Sequence, residues 1–393
     1  MAKDHDRFGR FFGINWMEEI KLEPELTDLP APALLPPADG VVIALTGASD
    51  FLGLELVSQL VKSGNVKAVH AVAVRNREKL AHISSPKLFV YSGELAQPRL
   101  AMADDAIEQV FETCHIVIHN GADASFHKPY SSLRRTNFES TKTILRLALE
   151  RGHVCHFHYV STAGITSLLN CDLYEESLRS LPLIQSHVDV SNGYFLSKWA
   201  SELYLEQASA TTGMPVTIHR PTVIVGENAP HLDLVSNILY YSMQMGMVPS
   251  MSAVDGSFQF VHVEDVASAI IFAAVYDASQ GYGQDSRPGT GGVARVYWHN
   301  HNGLPEATVD VHDFAAYLSK ATHKDITVTT DAEWITRASA LGMASSVAGC
   351  LKELTLLYNY TGGLKWVFRR ALNGFVADKQ CPLRSPIFSV LGT

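Results

Sequence analysis

The chain has 393 residues, 47% of them apolar and 18% charged, with a formal net charge of −9. That length admits a large core and two domains, and the apolar share excludes a disordered chain. The negative balance without any Lys/Arg run argues against a nucleic-acid footprint, and no apolar stretch reaches the roughly 18–20 residues that span a bilayer.

Residues 1–40 read as a lead-in. Pro24, Pro30, Pro32, Pro36 and Pro37 interrupt any continuous helix, which predicts an extended linker wrapping onto a domain. The opening residues Met1 to Asp6 are charged and carry no signal-peptide core. The five cysteines (Cys114, Cys155, Cys171, Cys350, Cys381) are scattered and include no C-x-x-C pair. This favours a reducing, cytoplasmic setting and no structural zinc.

At Val41 the pattern changes. Val41-Val42-Ile43-Ala44-Leu45 is a continuous apolar run, as in a strand buried on both faces of a parallel sheet. It leads through Thr46-Gly47-Ala48-Ser49-Asp50-Phe51-Leu52-Gly53 into a helix whose apolar positions, Leu52, Leu56, Leu60 and Val61, recur at helical spacing until Gly64. This order makes a dinucleotide-binding turn. Its first glycine bends the chain, its second lets backbone approach a pyrophosphate, and its third lets helix pack on strand. Gly47 and Gly53 fill the outer roles, while Asp50 stands where the middle glycine belongs. The Asp50 carboxylate reads as a favourable first-turn residue at the positive helix end, or as an occupant of the phosphate's place; the two readings are compatible. Thr46, Gly47, Asp50, Phe51, Leu52 and Gly53 are the candidate cofactor-binding residues of the turn.

Strand and helix patterns then alternate. Strands are predicted at 68–74, 87–91, 115–119, 156–160 and 215–219, with helices between them, notably 136–151 and 193–209. Such alternation predicts an α/β fold with a doubly wound parallel sheet of Rossmann type over 41–270. Beyond about residue 270 helical segments (311–322, 331–342, 347–358) predominate, predicting a smaller, mainly helical substrate subdomain over 271–393. Segments 166–192 and 227–257 are expected to contribute to the substrate side.

The second chemical feature is Gly193-Tyr194-Phe195-Leu196-Ser197-Lys198-Trp199. Tyr194 and Lys198, four apart on a helix, share a face, and an ammonium near a phenol lowers the phenol's pKa toward neutrality. The pair follows Tyr159-Val160-Ser161-Thr162-Ala163, a strand end bearing two hydroxyls, at the sheet edge where ligands bind. One of those hydroxyls and the phenol can together hold a carbonyl oxygen. Otherwise Ser161 and Thr162 are helix caps and Tyr194 a half-buried aromatic.

Together these residues resemble the extended short-chain dehydrogenase/reductase family. His119-Asn120-Gly121-Ala122 with Pro129-Tyr130 and Leu133-Arg134, Asn137 with Thr141, the Tyr194–Glu202 stretch, and Arg220-Pro221 with Gly226 look like its thioester reductase branch. The likeness is clear over 41–270 and loose beyond. It implies a terminal release domain of polyketide synthase–nonribosomal peptide synthetase hybrids, acting on an acyl-aminoacyl thioester held by a phosphopantetheinyl carrier protein. By position it implies Thr162, Tyr194 and Lys198 as a catalytic triad, with Ser161 the second choice. It also implies Arg75 (with Arg77 assisting) at the 2′-phosphate of NADPH, and Gly121 and Ala122 beside the cofactor's ribose and pyrophosphate. The branch contains NADPH-dependent reductases that release an aldehyde or alcohol. It also contains redox-neutral Dieckmann cyclases that release a tetramic acid.

Departures from the branch cluster around the nucleotide. Asp50, Glu94 in a Gly93-Glu94-Leu95 stretch that usually reads Gly-Asp-Leu, Ser140 and Thr222 each replace an expected residue, while the triad is intact. The expected activity is therefore the cyclase, which requires no cofactor, with NADPH-dependent reduction as the alternative. A catalytically idle docking module and a sugar-nucleotide epimerase or dehydratase are weaker options.

Other features are bland. On a strand His156 and His158 point to one face and Cys155 to the other, so no metal site is expected with His153 nearby. The Tyr240–Met247 stretch reads as core before it reads as a methionine-rich substrate wall, and His262 as structural.

Overall fold

The computed structural model describes residues 14–27, 29, 39–125, 128–151, 153, 155–168, 177–178, 193–227, 229, 234–252, 254–280, 294–300, 308–349, 351–352 and 364–366. Most of the expected insertion at 166–192, part of the helix expected at 347–358, and Cys171, Cys350 and Cys381 lie outside the described residues. Two compact units result. One comprises Met1–Asp123, Lys128–Arg220 and Glu264–Trp298; the other comprises Ala124–His127, Pro221–Val263 and His299–Thr393.

The chain begins with two one-turn helices, α1 (Trp16–Glu19) and α2 (Pro24–Thr27), then β1 (Val41–Thr46), α3 (Phe51–Lys62), β2 (Val66–Val74) and β3 (Leu88–Ser92). Next come α4 (Asp104–Phe111), β4 (Ile116–His119), α5 (Tyr130–Arg134), a π turn at Arg135–Glu139, and α6 (Ser140–Leu149). β5 (His156–Val160), α7 (Gly193–Thr212), β6 (Val216–Pro221), β7 (Val223–Val225), α8 (Leu234–Met245) and β8 (Met247–Pro249) follow. The remainder is β9 (Val254–His262), α9 (Val263–Gln280), β10 (Arg295–His299), β11 (Thr308–Asp310), α10 (Phe314–Thr322), β12 (Thr327–Thr329), α11 (Asp331–Ala340) and β13 (Leu364–Trp366).

The first unit is built on a seven-stranded sheet of order β10-β6-β5-β4-β1-β2-β3, parallel from β3 through β6. All six residues of β1 are buried, which explains its unbroken apolar run: helices cover both faces and no polar side is needed. The strand order reverses between β1 and β4, opening a crevice at their carboxyl ends, and register sets Thr46 beside His119 there. The predicted helix at 136–151 is an α-helix only from Ser140; its first turn is π, the widened geometry common at functional sites.

The described part of the lead-in, residues 14–27, packs on the first unit. Trp16, Leu22 and Leu26 join the core of the first unit, and Trp16 meets Tyr130 and Trp199 edge-on at 4.8 and 5.2 Å. Glu19 takes hydrogen bonds from Tyr130 (2.6 Å) and Arg134, and Glu23 from Tyr204 (2.5 Å). Proline does block a continuous helix, but an indole and two carboxylates bind two single turns to α5 and α7.

In the second unit, β9 pairs with β7, β11 and β13, and α8, α10 and α11 pack on a core centred on Phe260, Phe314 and Trp334. The unit draws on 221–263 as well as the C-terminal part, because β9 is the strand on which its sheet assembles. Conversely β10, beyond residue 270, returns to the edge of the first sheet. Tyr241 is buried and Met243, Met245 and Met247 pack against the core of this unit, the core reading of that stretch.

Candidate functional site

Gly47 carries φ +68°, and a Cβ there would stand 2.6 Å from the Gly121 backbone. A Cβ on Gly53 would overlap the Gly47 carbonyl oxygen. Both glycines are demanded by the turn's own packing. The turn forms one wall of a groove of about 380 Å³, lined by Gly47, Asp50, Ala73, Arg75, Glu94 and Ala122 among others. Thr136, from the π turn, also faces it, a residue that no sequence motif singled out. Of the other cofactor candidates, Leu52 and Thr46 are buried, and neither they nor Phe51, Gly53 and Gly121 line this groove.

Asp50 occupies the N-cap position of α3, yet its side chain makes no capping bond. The carboxyl stands at the groove's rim with one face open to solvent. Surrounding protein displaces much of its hydration and raises its pKa, while the charges of Arg75, Lys79 and Lys198 pull the other way. Arg75 pairs with Glu94 at 3.8 Å, an exposed and weak pair. Two residues before Arg75, Ala73 takes φ +55° at an irregularity in the β2–β3 ladder, a strained conformation of the kind that gathers at ligand sites.

Behind the groove runs a buried hydrogen-bond relay. The Gly121 N–H donates to Thr46 Oγ1 (3.0 Å), and Thr46 Oγ1 and His119 Nδ1 are 2.7 Å apart. His119 Nε2 lies 3.0 Å from Thr141 Oγ1, whose own proton goes to the Asn137 carbonyl at 2.7 Å. With Thr141 committed as donor there, His119 donates from Nε2 and accepts at Nδ1. Burial holds its pKa down to about 3, so the ring is neutral and this tautomer persists. Asn137 donates from Nδ2 to Ser197 Oγ at 2.9 Å, and Ser197 donates to the Tyr194 carbonyl at 2.7 Å. The phosphate turn and the Tyr194 helix are thus joined through one polar spine.

Lys198 is 2% exposed and donates from Nζ to the Val160 carbonyl at 2.7 Å. Its ammonium lies 4.7 Å from the Tyr159 ring centre and 5.8 Å from that of Tyr194. Burial lowers its pKa to about 7, against the attraction of Glu202 and Asp50. At the end of β5, Thr162 is half-buried and its hydroxyl oxygen accepts the Gly164 N–H at 3.1 Å, leaving its proton for another acceptor. Ser161 Oγ is buried and has no partner among the described residues. Thr162, Tyr194 and Lys198 therefore come from the end of one strand and one face of a neighbouring helix. His119, Asn137, Thr141 and Glu202 fell within quoted motifs without a role. Only packing shows that they connect.

Sheet order, glycine turn and Tyr–Lys helix define a domain of the short-chain dehydrogenase/reductase type. The chain belongs to the family described as male sterility protein, an NAD-binding family whose profile matches residues 45–270. It is 51% identical over 373 residues (95% of the chain) to the hybrid PKS-NRPS synthetase ucsA of an Acremonium species. It is 35% identical over 362 residues (91%) to the fusarin C synthetase of Gibberella fujikuroi. It spans about 9% of the length of each. Among solved structures it is similar to the terminal R domain of the myxalamid PKS-NRPS pathway, with TM-score 0.66, 25% identity, and coverage of 86% of this chain and 83% of that one. The fold is also that of the reductase domain of a nonribosomal peptide synthetase from Mycobacterium tuberculosis, with TM-score 0.64, 20% identity, and coverage of 85% and 84%. Among the described residues no helix is long and apolar enough to cross a membrane, and no group of three His, Cys, Asp or Glu side chains is arranged to hold a metal.

Proposed function

We propose that this chain is the terminal release domain of a polyketide–peptide hybrid synthetase and that it releases its product by redox-neutral Dieckmann cyclisation. The substrate is an acyl-aminoacyl thioester on the phosphopantetheine arm of a carrier protein, and the product is a tetramic acid. One observation carries the choice: a carboxylate, Asp50, lines the rim of the groove at the position where a dinucleotide-binding turn has its middle glycine. Asp50 keeps one face open to solvent, and a diphosphate brought against its carboxylate would meet like-charge repulsion. Arg75, which the resemblance assigns to a 2′-phosphate, has the carboxylate of Glu94 beside it in an exposed, weak pair. These residues fit a dinucleotide poorly, and no step below involves one. Gly47 and Gly53 do not count for a nucleotide, since the turn itself requires them.

In the reaction a base removes the proton from the acidic carbon between the two carbonyls of the acyl group. The Tyr194 phenolate, with the Lys198 ammonium 5.8 Å from its ring centre, is one candidate for that base. The carbanion attacks the thioester carbonyl, a carbon–carbon bond forms, the carbon–sulfur bond breaks, and the thiolate leaves and takes up a proton. Thr162 and Tyr194 hold the oxyanion of the intermediate while Lys198 supplies positive charge beneath them.

The alternative is reductive release with NADPH, favoured by membership of an NAD-binding family. A model β-ketoacyl-aminoacyl thioester incubated without nucleotide separates the two. Formation of the five-membered ring at the rate seen with NADPH present is expected. A strict need for NADPH, with its absorbance consumed, would overturn the cyclase.

A further inference from the structure

Arg220 and Glu202 form an ion pair in which neither side chain is exposed at all. The guanidinium grips the carboxylate in fork geometry, with Nη2–Oε2 at 2.7 Å and Nε–Oε1 at 3.3 Å. Arg220 is the penultimate residue of β6, and Glu202 lies on α7 one turn beyond Lys198, on the same face. A buried pair of this kind contributes little to stability compared with apolar side chains of the same volume. Lys198, Glu202 and Glu206 form a stripe of three buried ionisable residues at four-residue spacing, where an amphipathic helix would bury leucines. Glu206 is held separately by the Ser177 hydroxyl (2.6 Å) and the Leu178 N–H (3.1 Å).

We propose that Glu202, clamped by Arg220, is a positioning residue that keeps Lys198 cationic beneath Tyr194. The inference rests on the role given to Lys198 above. Among the described residues, the groups around that ammonium are few. Tyr194 and Glu202 share its helix, Tyr159 faces it from β5, neutral His119 from β4 and Asp50 from the turn after β1. Of the two carboxylates, Asp50 stands at the groove's rim with a partly open face, so its influence is screened. Glu202 is in the core and fixed by its fork, so its field on Lys198 is constant whatever occupies the groove. Without Glu202 the buried ammonium loses one attracting carboxylate and faces an unpaired Arg220 guanidinium, so it gives up its proton at lower pH, and the double change at both positions separates the two effects.

The experiment is the pH profile of thiol release from a thioester substrate, read with a chromogenic thiol reagent. It is run with and without NADPH on wild type, Glu202→Gln, Glu202→Asp and the double change Glu202→Gln with Arg220→Met. Thiol release is common to cyclisation and reduction, so the profile is readable under either chemistry. Failure of the cyclase reading appears instead as dependence on NADPH. In Glu202→Gln the alkaline limb should move down by about one pH unit, so that release at pH 8 falls about tenfold while release at pH 6 stays within about twofold. Glu202→Asp should restore most of the limb. The double variant removes the stranded guanidinium, and should recover the wild-type melting temperature while keeping a lowered limb. A folded Glu202→Gln or double variant with the wild-type limb would overturn the proposal. So would a double variant that cannot fold, since the pair would then be an anchor of the fold and nothing more.

Discussion

Lys198 reaches from α7 to the Val160 carbonyl at 2.7 Å, tying the Tyr194 helix to the end of the strand that carries Thr162. That bond fixes where the ammonium stands, and its surroundings fix what standing there costs. The ammonium's pKa is about 7 in the fold against 10.5 when solvated. Between those values the unfolded chain binds more protons than the native one, so this group makes stability rise with pH. Its penalty is complete below about pH 7 and gone by about 10.5. Lys198→Met should therefore abolish release and yet raise the melting temperature by about 2–5 °C at pH 6, the gain shrinking as pH rises. Melting curves of both proteins from pH 6 to 10 check this, and a loss of stability at pH 6 would contradict it.

Replacing Asp50 with glycine separates the two chemistries. If the carboxylate blocks the diphosphate, Asp50→Gly should create NADPH binding or tighten it at least about tenfold, a difference of about 1.4 kcal/mol read by calorimetric titration. Equal affinity in both proteins would show that the side chain is no obstacle.

Gly53 makes the opposite case. Because a Cβ there would overlap the Gly47 carbonyl oxygen, Gly53→Ala should cost about 2–3 kcal/mol or prevent folding, with no nucleotide present. Urea unfolding measures it. An unchanged midpoint would mean that the turn relaxes freely, and that the glycine is kept for a ligand.

Trp16 tests the lead-in. It is buried against Tyr130 and Trp199, and Trp199 is the immediate neighbour of Lys198. Trp16→Ala should destabilise the first unit by about 3–5 kcal/mol. Denaturant unfolding checks the loss; a cost under about 1 kcal/mol would mean that the segment is merely laid on the surface.

Much of the scaffold was legible before any coordinates. A strand buried on both faces must be apolar throughout, so β1 announced itself, and the alternation that followed it admitted few arrangements other than a doubly wound parallel sheet. Tyr194 and Lys198 were legible because helical spacing is a local property. The one-residue departure at Asp50 was legible for the same reason, since a turn's demands are written within eight residues.

What stayed hidden involved partners far apart in the chain. Nothing local in Glu202 distinguishes a solvated glutamate from one locked to Arg220 with no exposure, and only the passage of α7 across β6 decides it. His119 could be read as a motif letter, but its tautomer depends on Thr46 and Thr141, brought to its two nitrogens by β1 and α6. The lead-in looked like linker because proline governs local conformation, whereas the hold of Trp16 on α5 and α7 is a matter of burial. The sequence by itself determined the sheet, the turn and the presence of a tyrosine and a lysine on one helix face, all set by short-range periodicity and steric demand. The tertiary structure alone decided which charges are stripped of water and which counter-charges face them, because desolvation depends on everything packed around a group and not on its neighbours in the chain.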